Sequence, residues 1–285
     1  MTFLIEQLPQ LLLFVLVVVG ALPAIGQGRM LLLGTAGFYA TGEFLAAWLP
    51  TLGFAPGTLV LALGGLGGGA SAALFGLLCR RLRGDYFALG SLSFAELVRQ
   101  TLLLNPPFFG PQGISGVARG TALGLSLALP WTLVALGGLL VVGAVLTAQA
   151  LRSPWGAALR ACGDHELAAQ TAGLPVERIR LVALVYAGTF AGIAGALGAR
   201  ELGLADVENF SLTESVMVLM AVLLTGRPRL KRALGFAIIL GLLSELLRFL
   251  FGGAWRQMAF GICLGVLALI VRDQLSDGAL NGGGP

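Results

Sequence analysis

Apolar residues run along this chain in blocks long enough to cross a membrane, and polar residues are confined to short islands between them. Blocks at 8–25, 30–49, 58–78, 86–104, 129–150, 181–199, 213–225, 233–251 and 257–271 each read as a helix. About 20 mostly apolar residues carry a helix across the hydrocarbon with every backbone group paired internally. The pattern therefore predicts an all-α, polytopic transmembrane helix bundle of about nine spans, within a range of roughly eight to ten. The block at 86–104 is the most charged and that at 213–225 the shortest. Glu6 stands ahead of the first block where a cleaved leader would carry basic residues, so that block reads as a retained span.

Composition sharpens the class. Apolar residues make up 57% of the chain and charged residues 11%, against about 25% charged in soluble domains. Residues 1–285 read as one transmembrane domain, with no separate soluble unit. The 43 glycines point to close helix packing, which small residues permit in lipid. Gly64 to Ala70, GGLGGGA, superficially resembles a phosphate loop. A Walker A motif ends in Gly-Lys, whereas the single lysine, Lys231, follows Leu230, so the glycines read as helix contacts and the chain as having no ATPase site. Cys79, Cys162 and Cys263 are too widely spaced for a metal site and read as free thiols.

A sequence pI near 9.4 raises nucleic acid as a partner. The basic residues, however, sit in short clusters between apolar blocks, the distribution produced by positive-inside sorting, so the expected partner is membrane lipid and not nucleic acid. With Arg80, Arg81 and Arg83 inside, alternation also places Arg29, the 152–180 segment, Arg227, Arg229, Lys231, Arg232 and Arg272 inside. The N-terminus is then outside and the C-terminus inside.

Two helices share a spacing: Phe87, Ala88, Glu96, Leu97, Arg99 and Phe236, Ala237, Glu245, Leu246, Arg248. Glu96 with Arg99, and Glu245 with Arg248, lie three apart on one helical face, where each neutralises the other. These pairs read as structural or as lining a polar path. Glu43 and Glu214, within apolar blocks, are further path candidates. The Gly- and Pro-rich stretch beginning at Asn105, within an external loop of about 105–128, is too irregular to span lipid.

The largest polar island is 153–180, SPWGAALRACGDHELAAQTAGLPVERIR. Ser153 and Pro154 open a helix through about Ala161. Asp164 is the expected cap of a second helix, HELAAQTA, which Gly173 and Pro175 end. About eight residues are too few for an isolated helix, so this one needs a surface to pack on. His165, the only histidine, has no second histidine to work with, and no HExxH or GxSxG string occurs.

Glu166, Ala168, Ala169 and Gly173 resemble the E-x-A-A-x-x-x-G form of the cytoplasmic EAA loop of bacterial ABC importer permeases. Around them RLRGDYFAL at 81–89, Glu96 and Arg99, GISG at 113–116, SPWGAALRA at 153–161, AGLPVERIRLVAL at 172–184, AGIAGALGA at 191–199, SELLR at 244–248 and FGICLGVLALIVR at 260–272 follow in order the pattern of the LivM-type branched-chain amino-acid permease. LGTAGFYATGEF at 33–44 is similar to the family's early Gly-rich segment. Leu32 and Thr35 stand where the family commonly has Ser and His. A basic loop, Arg227 to Arg232, replaces its glycine-rich turn.

The resemblance implies a type II-like ABC importer permease in a prokaryotic inner membrane, one half of a pore built with a second homologous permease. Two ABC ATPase subunits and an extracytoplasmic solute-binding protein complete the complex. ATP would bind those ATPases, and this chain would hold no cofactor. The segment of about 152–180 would be the coupling loop, with Glu166, Ala168, Ala169, Gly173, Arg160 and Asp164 as ATPase-coupling residues. Gly110, Gly113, Gly116, Asp206 and Glu208 would meet the binding protein. Branched-chain amino acids are the first solute expectation and urea or short amides the next. An ion-coupled secondary transporter using Glu43 or Glu214 is the alternative of another class.

Overall fold

The computed structural model describes residues 2–48, 57–104, 114–115, 129–206, 211–225 and 230–250, with Gly261 and Gly265. Helix α1 (Thr2–Leu22) ends in a π-helical turn, Pro23–Gln27. There follow α2 (Thr35–Trp48), α3 (Gly57–Leu78), α4 (Asp85–Leu104), β1 (Ile114–Ser115), α5 (Leu129–Arg152), α6 (Pro154–Asp164), α7 (Glu166–Thr171), α8 (Val176–Leu202), β2 (Leu204–Ala205), α9 (Leu212–Leu223) and α10 (Leu230–Leu250). The chain is a helical bundle. Among the described residues five helices are long and apolar enough to cross a membrane: α1 together with its π-helical turn, α3, α4, α5 and α8. The block expected at 257–271 lies outside the described residues.

From Leu13 to Leu22 helix α1 is apolar and buried on every side: Val17, Val18 and Val19 are almost wholly enclosed. A stretch without a polar face suits either a bundle core or lipid, and here it takes the core. It runs antiparallel to α8, with Gly20 against Phe190 and Leu13 near Gly198. Thr147 on α5 donates to the Val19 carbonyl at 3.5 Å and bonds the Tyr186 hydroxyl of α8 at 2.9 Å, tying three helices.

The glycines form the seam expected of them. A Cβ on Gly68 of α3 would lie 2.7 Å from the Gly192 Cα of α8, and a Cβ on Gly42 of α2 would strike the Gly192 carbonyl. Three backbones therefore converge on Gly192, at a separation only glycine allows. A second seam is aromatic. Phe75 of α3 packs at 5.2 Å from Phe87 and 5.4 Å from Phe94 of α4, ring centroid to centroid, and at 6.2 Å from Phe38 of α2.

The apolar block at 30–49 is the main correction. Helix α2 starts only at Thr35, and 29–34 is non-helical. Gly34 lies so close to α4 that a Cβ there would strike the Ser91 carbonyl. The Leu33 N–H is satisfied by the Ser91 hydroxyl at 3.0 Å, and the Ala36 N–H by the Ser215 hydroxyl of α9 at 2.9 Å. Irregular backbone survives at that depth because neighbouring side chains supply its hydrogen bonds. The 14 described residues of α2 rise about 21 Å, against roughly 30 Å of hydrocarbon.

Neighbouring contacts set helix directions. Helices α2 and α4 run parallel, with Gly34 against Ser91 and Gly37 against Ala95, while α3 runs antiparallel to α8, with Gly64 against Ala196 and Gly76 against Leu181. One end of the bundle thus collects Arg29, the α3–α4 turn, α6, α7 and the start of α8. The other collects the antiparallel pair β1–β2, Ile114 opposite Ala205 and Ser115 opposite Leu204.

Candidate functional site: the capped elbow at the basic end

Helix α6 begins where the sequence places it. Ser153 adopts extended backbone, its hydroxyl accepts the Gly156 N–H at 3.3 Å, and Pro154 takes the first helical position. It extends past the expected Ala161 to Asp164, with Gly163 inside it. The small residue there is required by packing, since a Cβ on Gly163 would meet the Gln27 carbonyl. Leu159 and Cys162 bury fully and the Trp155 ring packs at a tilt, 6.4 Å from that of Tyr186 on α8, so α6 is fastened to the bundle and not suspended from it.

Asp164 does not cap the next helix. His165 occupies that position, without a side-chain cap bond, and Asp164 instead pairs with Arg29 at 2.8 Å. The Arg29 guanidinium, remote in sequence, offers the carboxylate a charged partner in place of the neutral amides of α7. Helix α7 is six residues, Glu166–Thr171, one turn and a half. Its C-terminus is a Schellman motif: Gly173 is left-handed at φ +82°, its N–H donates to the Gln170 carbonyl, and the Leu174 N–H donates to the Ala169 carbonyl, both at 3.0 Å. Gly173 therefore turns the chain back toward Pro175 and α8, as its place in the sequence motif leads one to expect.

Glu166 is the pivot. Its Oε1 lies 2.9 Å from Nη2 of Arg83, in the α3–α4 turn, and its Oε2 lies 3.1 Å from Nη1 of Arg180 on α8. Gln170 adds a hydrogen bond to Oε1 at 3.3 Å. The carboxylate is 19% exposed, so it faces inward. The side chains α7 turns outward are Leu167, 73% exposed, Ala168, Gln170 and Thr171, while Ala169 is buried against the core. Arg160 is exposed on α6. Sequence reasoning missed Leu167, Arg83 and Arg180 as parts of this elbow. Arg83 and Arg180 do fall within quoted family segments, but nothing local pairs them with Glu166.

The remaining predicted positions lie elsewhere. Glu96 and Arg99 form their pair at 3.2 Å on a partly exposed face of α4, with Gln100 also donating to Glu96 at 2.7 Å. Helix α10 contains Glu245 and Arg248, whose side chains lie outside the described residues, as do Gly110, Gly113, Gly116 and Glu208. Glu43 is 1% exposed, and its Oε1 accepts the Asp206 backbone N–H at 3.3 Å beside β2. Glu214 closes a capping box on α9: Oε2 accepts the Ser211 N–H at 2.8 Å and the Ser211 hydroxyl, which itself accepts the Thr213 N–H at 3.2 Å. One residue on, Ser215 accepts from the Thr35 hydroxyl at 3.0 Å, so α2 and α9 begin side by side inside the bundle. Thr35 thereby keeps a polar role.

The family model for the branched-chain amino acid transport system permease component matches residues 3–271. The chain belongs to this permease family. It is 33% identical over 266 residues to the high-affinity branched-chain amino acid transport system permease protein LivM of Escherichia coli (strain K12), covering 83% of this chain and 62% of that protein. The LivM protein of Salmonella typhimurium gives the same figures. A shorter match, 28% identical over 95 residues, covers 33% of this chain and 30% of the guanosine ABC transporter permease protein NupQ of Bacillus subtilis. The chain thus spans about 62% of the length of the LivM relatives it matches. No solved structure matches.

Proposed function

We infer that this chain is a pore-forming permease subunit of an ATP-driven importer, that branched-chain or other hydrophobic amino acids are its solute, and that separate ATPase subunits drive it through α7. The observation that carries the coupling reading is the elbow: a six-residue helix, capped at its end, exposes Leu167 and Ala168 while Glu166 fastens it to α8 and to the α3–α4 turn. A helix this short is unstable alone, and its exposed leucine fits a groove on a partner. Positive-inside sorting puts this end in the cytoplasm.

In this reading ATP closes the motor dimer, α7 moves with the groove that holds it, and the Glu166 ion pairs pass the displacement to α8. Helix α8 reaches the opposite end and packs through Gly192 on α2 and α3, so tilting it rearranges the bundle core. Energy enters through the different contacts α7 makes with the ATP-bound and free motor. A second permease completes the pore. On the opposite face, the β1–β2 pair and the adjoining Asp206 would meet an extracytoplasmic binding protein. The residue set Gly110, Gly113, Gly116 and Glu208 belongs to the same proposal. The buried break before α2, next to the start of α9, supplies the hydroxyls of Thr35, Ser91 and Ser215 within an apolar core. Broken helices near mid-membrane are where transporter paths commonly run.

The test is purification of the native complex, followed by ligand screening of its binding protein with leucine, isoleucine, valine, urea and guanosine. Co-purifying ATPases and a branched-chain amino-acid ligand support the reading. A chain that transports without any ATPase, driven by a proton or sodium gradient, contradicts it.

A further inference from the structure

A cavity of about 60 Å³ opens between the α3–α4 turn, the segment before α2 and the start of α8. Arg29, Arg80, Arg83 and Arg180 line it, against the acidic Glu166 and Glu177. Glu166 is shared by two guanidiniums, Arg83 and Arg180, and with Glu177 counted the four arginines of the lining still outnumber its two carboxylates. Among the described residues Arg80 makes no ion pair. The Arg180 Nε is buried and has no hydrogen-bond partner. A guanidinium carries five donor hydrogens, so the clasp on Glu166 leaves most of this donor set open. On a measure by which one water occupies about 10–15 Å³, the space suits a phosphate group.

The surroundings choose the source of the phosphate. The inner wall is apolar, with Met30, Phe87 and Leu184. Leu77 and Leu78 at the end of α3, and Tyr86 at the start of α4, stand exposed beside the turn. Apolar side chains ending at a ring of arginines mark the boundary between hydrocarbon and water. Basic pockets between transmembrane helices at that boundary take anionic headgroups.

We propose that this cavity binds the phosphate-bearing headgroup of an anionic phospholipid, with Arg80, Arg83 and Arg180 as its donors and Leu77, Leu78 and Tyr86 beside its acyl chains. Such a lipid sits next to the Glu166 clasp and stabilises the elbow from the membrane side.

Cys79 lines the same cavity and is an internal reporter. Burial raises its thiol pKa, so alkylation is followed at mildly alkaline pH, where more thiolate is present. The full chain is reconstituted in nanodiscs of phosphatidylcholine alone or with phosphatidylglycerol, and N-ethylmaleimide labelling of Cys79 is followed by peptide mass spectrometry. Phosphatidylglycerol is expected to slow labelling about tenfold in the wild type, and the combined R80Q and R83Q substitutions to abolish most of that protection. Arg81→Gln removes the same charge from the same turn outside the cavity, and it should keep the protection. Equal labelling in both lipids, or equal loss in Arg81→Gln, overturns the site. Protection by inorganic phosphate in phosphatidylcholine discs overturns the lipid as its source. Substitution of a motor carboxylate for the lipid, seen as protection only when the ATPases are bound, also overturns it. The wild-type measurement stands whether or not the double variant folds.

Discussion

Glu166 and Arg180 lie 3.1 Å apart across the joint between α7 and α8, so the six-residue helix of the elbow and the 27-residue helix that follows it are joined by charge as well as by chain. The pair is partly exposed, 19% and 24%, and contributes about 1 kcal/mol of stability at most. In the proposed coupling its larger consequence is mechanical. Glu166→Gln should leave the chain folded, with its thermal midpoint nearly unchanged, while ATP hydrolysis per solute imported rises about fivefold or more. Hydrolysis and uptake measured together in proteoliposomes check this.

The convergence on Gly192 predicts a steep size dependence. Gly192→Ala places a Cβ 2.9 Å from the Gly68 Cα and against the Gly64 carbonyl, with backbone on both sides and no flexible side chain to yield. Overpacking of this kind costs about 1–3 kcal/mol. Gly137→Ala on α5, where nothing lies within 4 Å, should be neutral or stabilising by up to about 1 kcal/mol from helix propensity. Thermal midpoints of the two variants in one detergent separate these outcomes.

Gly173 is held at φ +82° with open space around it. A side chain there meets backbone strain and no clash. Gly173→Ala should cost about 1–2 kcal/mol, and Gly173→Asn less, because Asn tolerates the left-handed region. Amide hydrogen exchange at Leu174, whose N–H closes the Schellman motif, reads the loss.

Ser215 accepts from both the Ala36 amide and the Thr35 hydroxyl. Ser215→Ala leaves those buried donors unmet, at about 1–3 kcal/mol. Ser215→Thr keeps the oxygen and should recover most of the stability. The comparison is made by thermal unfolding, with solute uptake as a second readout for the break before α2.

Much of this architecture was legible from local pattern. The blocks at 58–78, 86–104 and 129–150 became α3, α4 and α5 almost end for end, because each is an apolar run of helix-spanning length. Ser153, Pro154 and Gly173 marked the elbow through capping chemistry within a few residues. The failures share a non-local cause. Leu31 to Leu33 look like the first turn of a helix, and the break there is imposed by Ser91 and Ser215 on other helices. Asp164 has the chemistry of a cap, and Arg29 takes it. Glu166 gives no local sign of its ion partners, because Arg83 and Arg180, which turn it inward, come from other elements. Leu167 is the large side chain that α7 turns outward, and an apolar chain does nothing to distinguish it.

The coupling claim therefore rests on an exposed leucine. Leu167→Asp changes a side chain that is 73% exposed, so stability should shift by no more than about 0.5 kcal/mol. In the assembled transporter the account predicts a folded, membrane-inserted permease that loses its ATPase subunits on purification and its ATP-driven uptake. Undiminished uptake together with undiminished ATPase retention would contradict it.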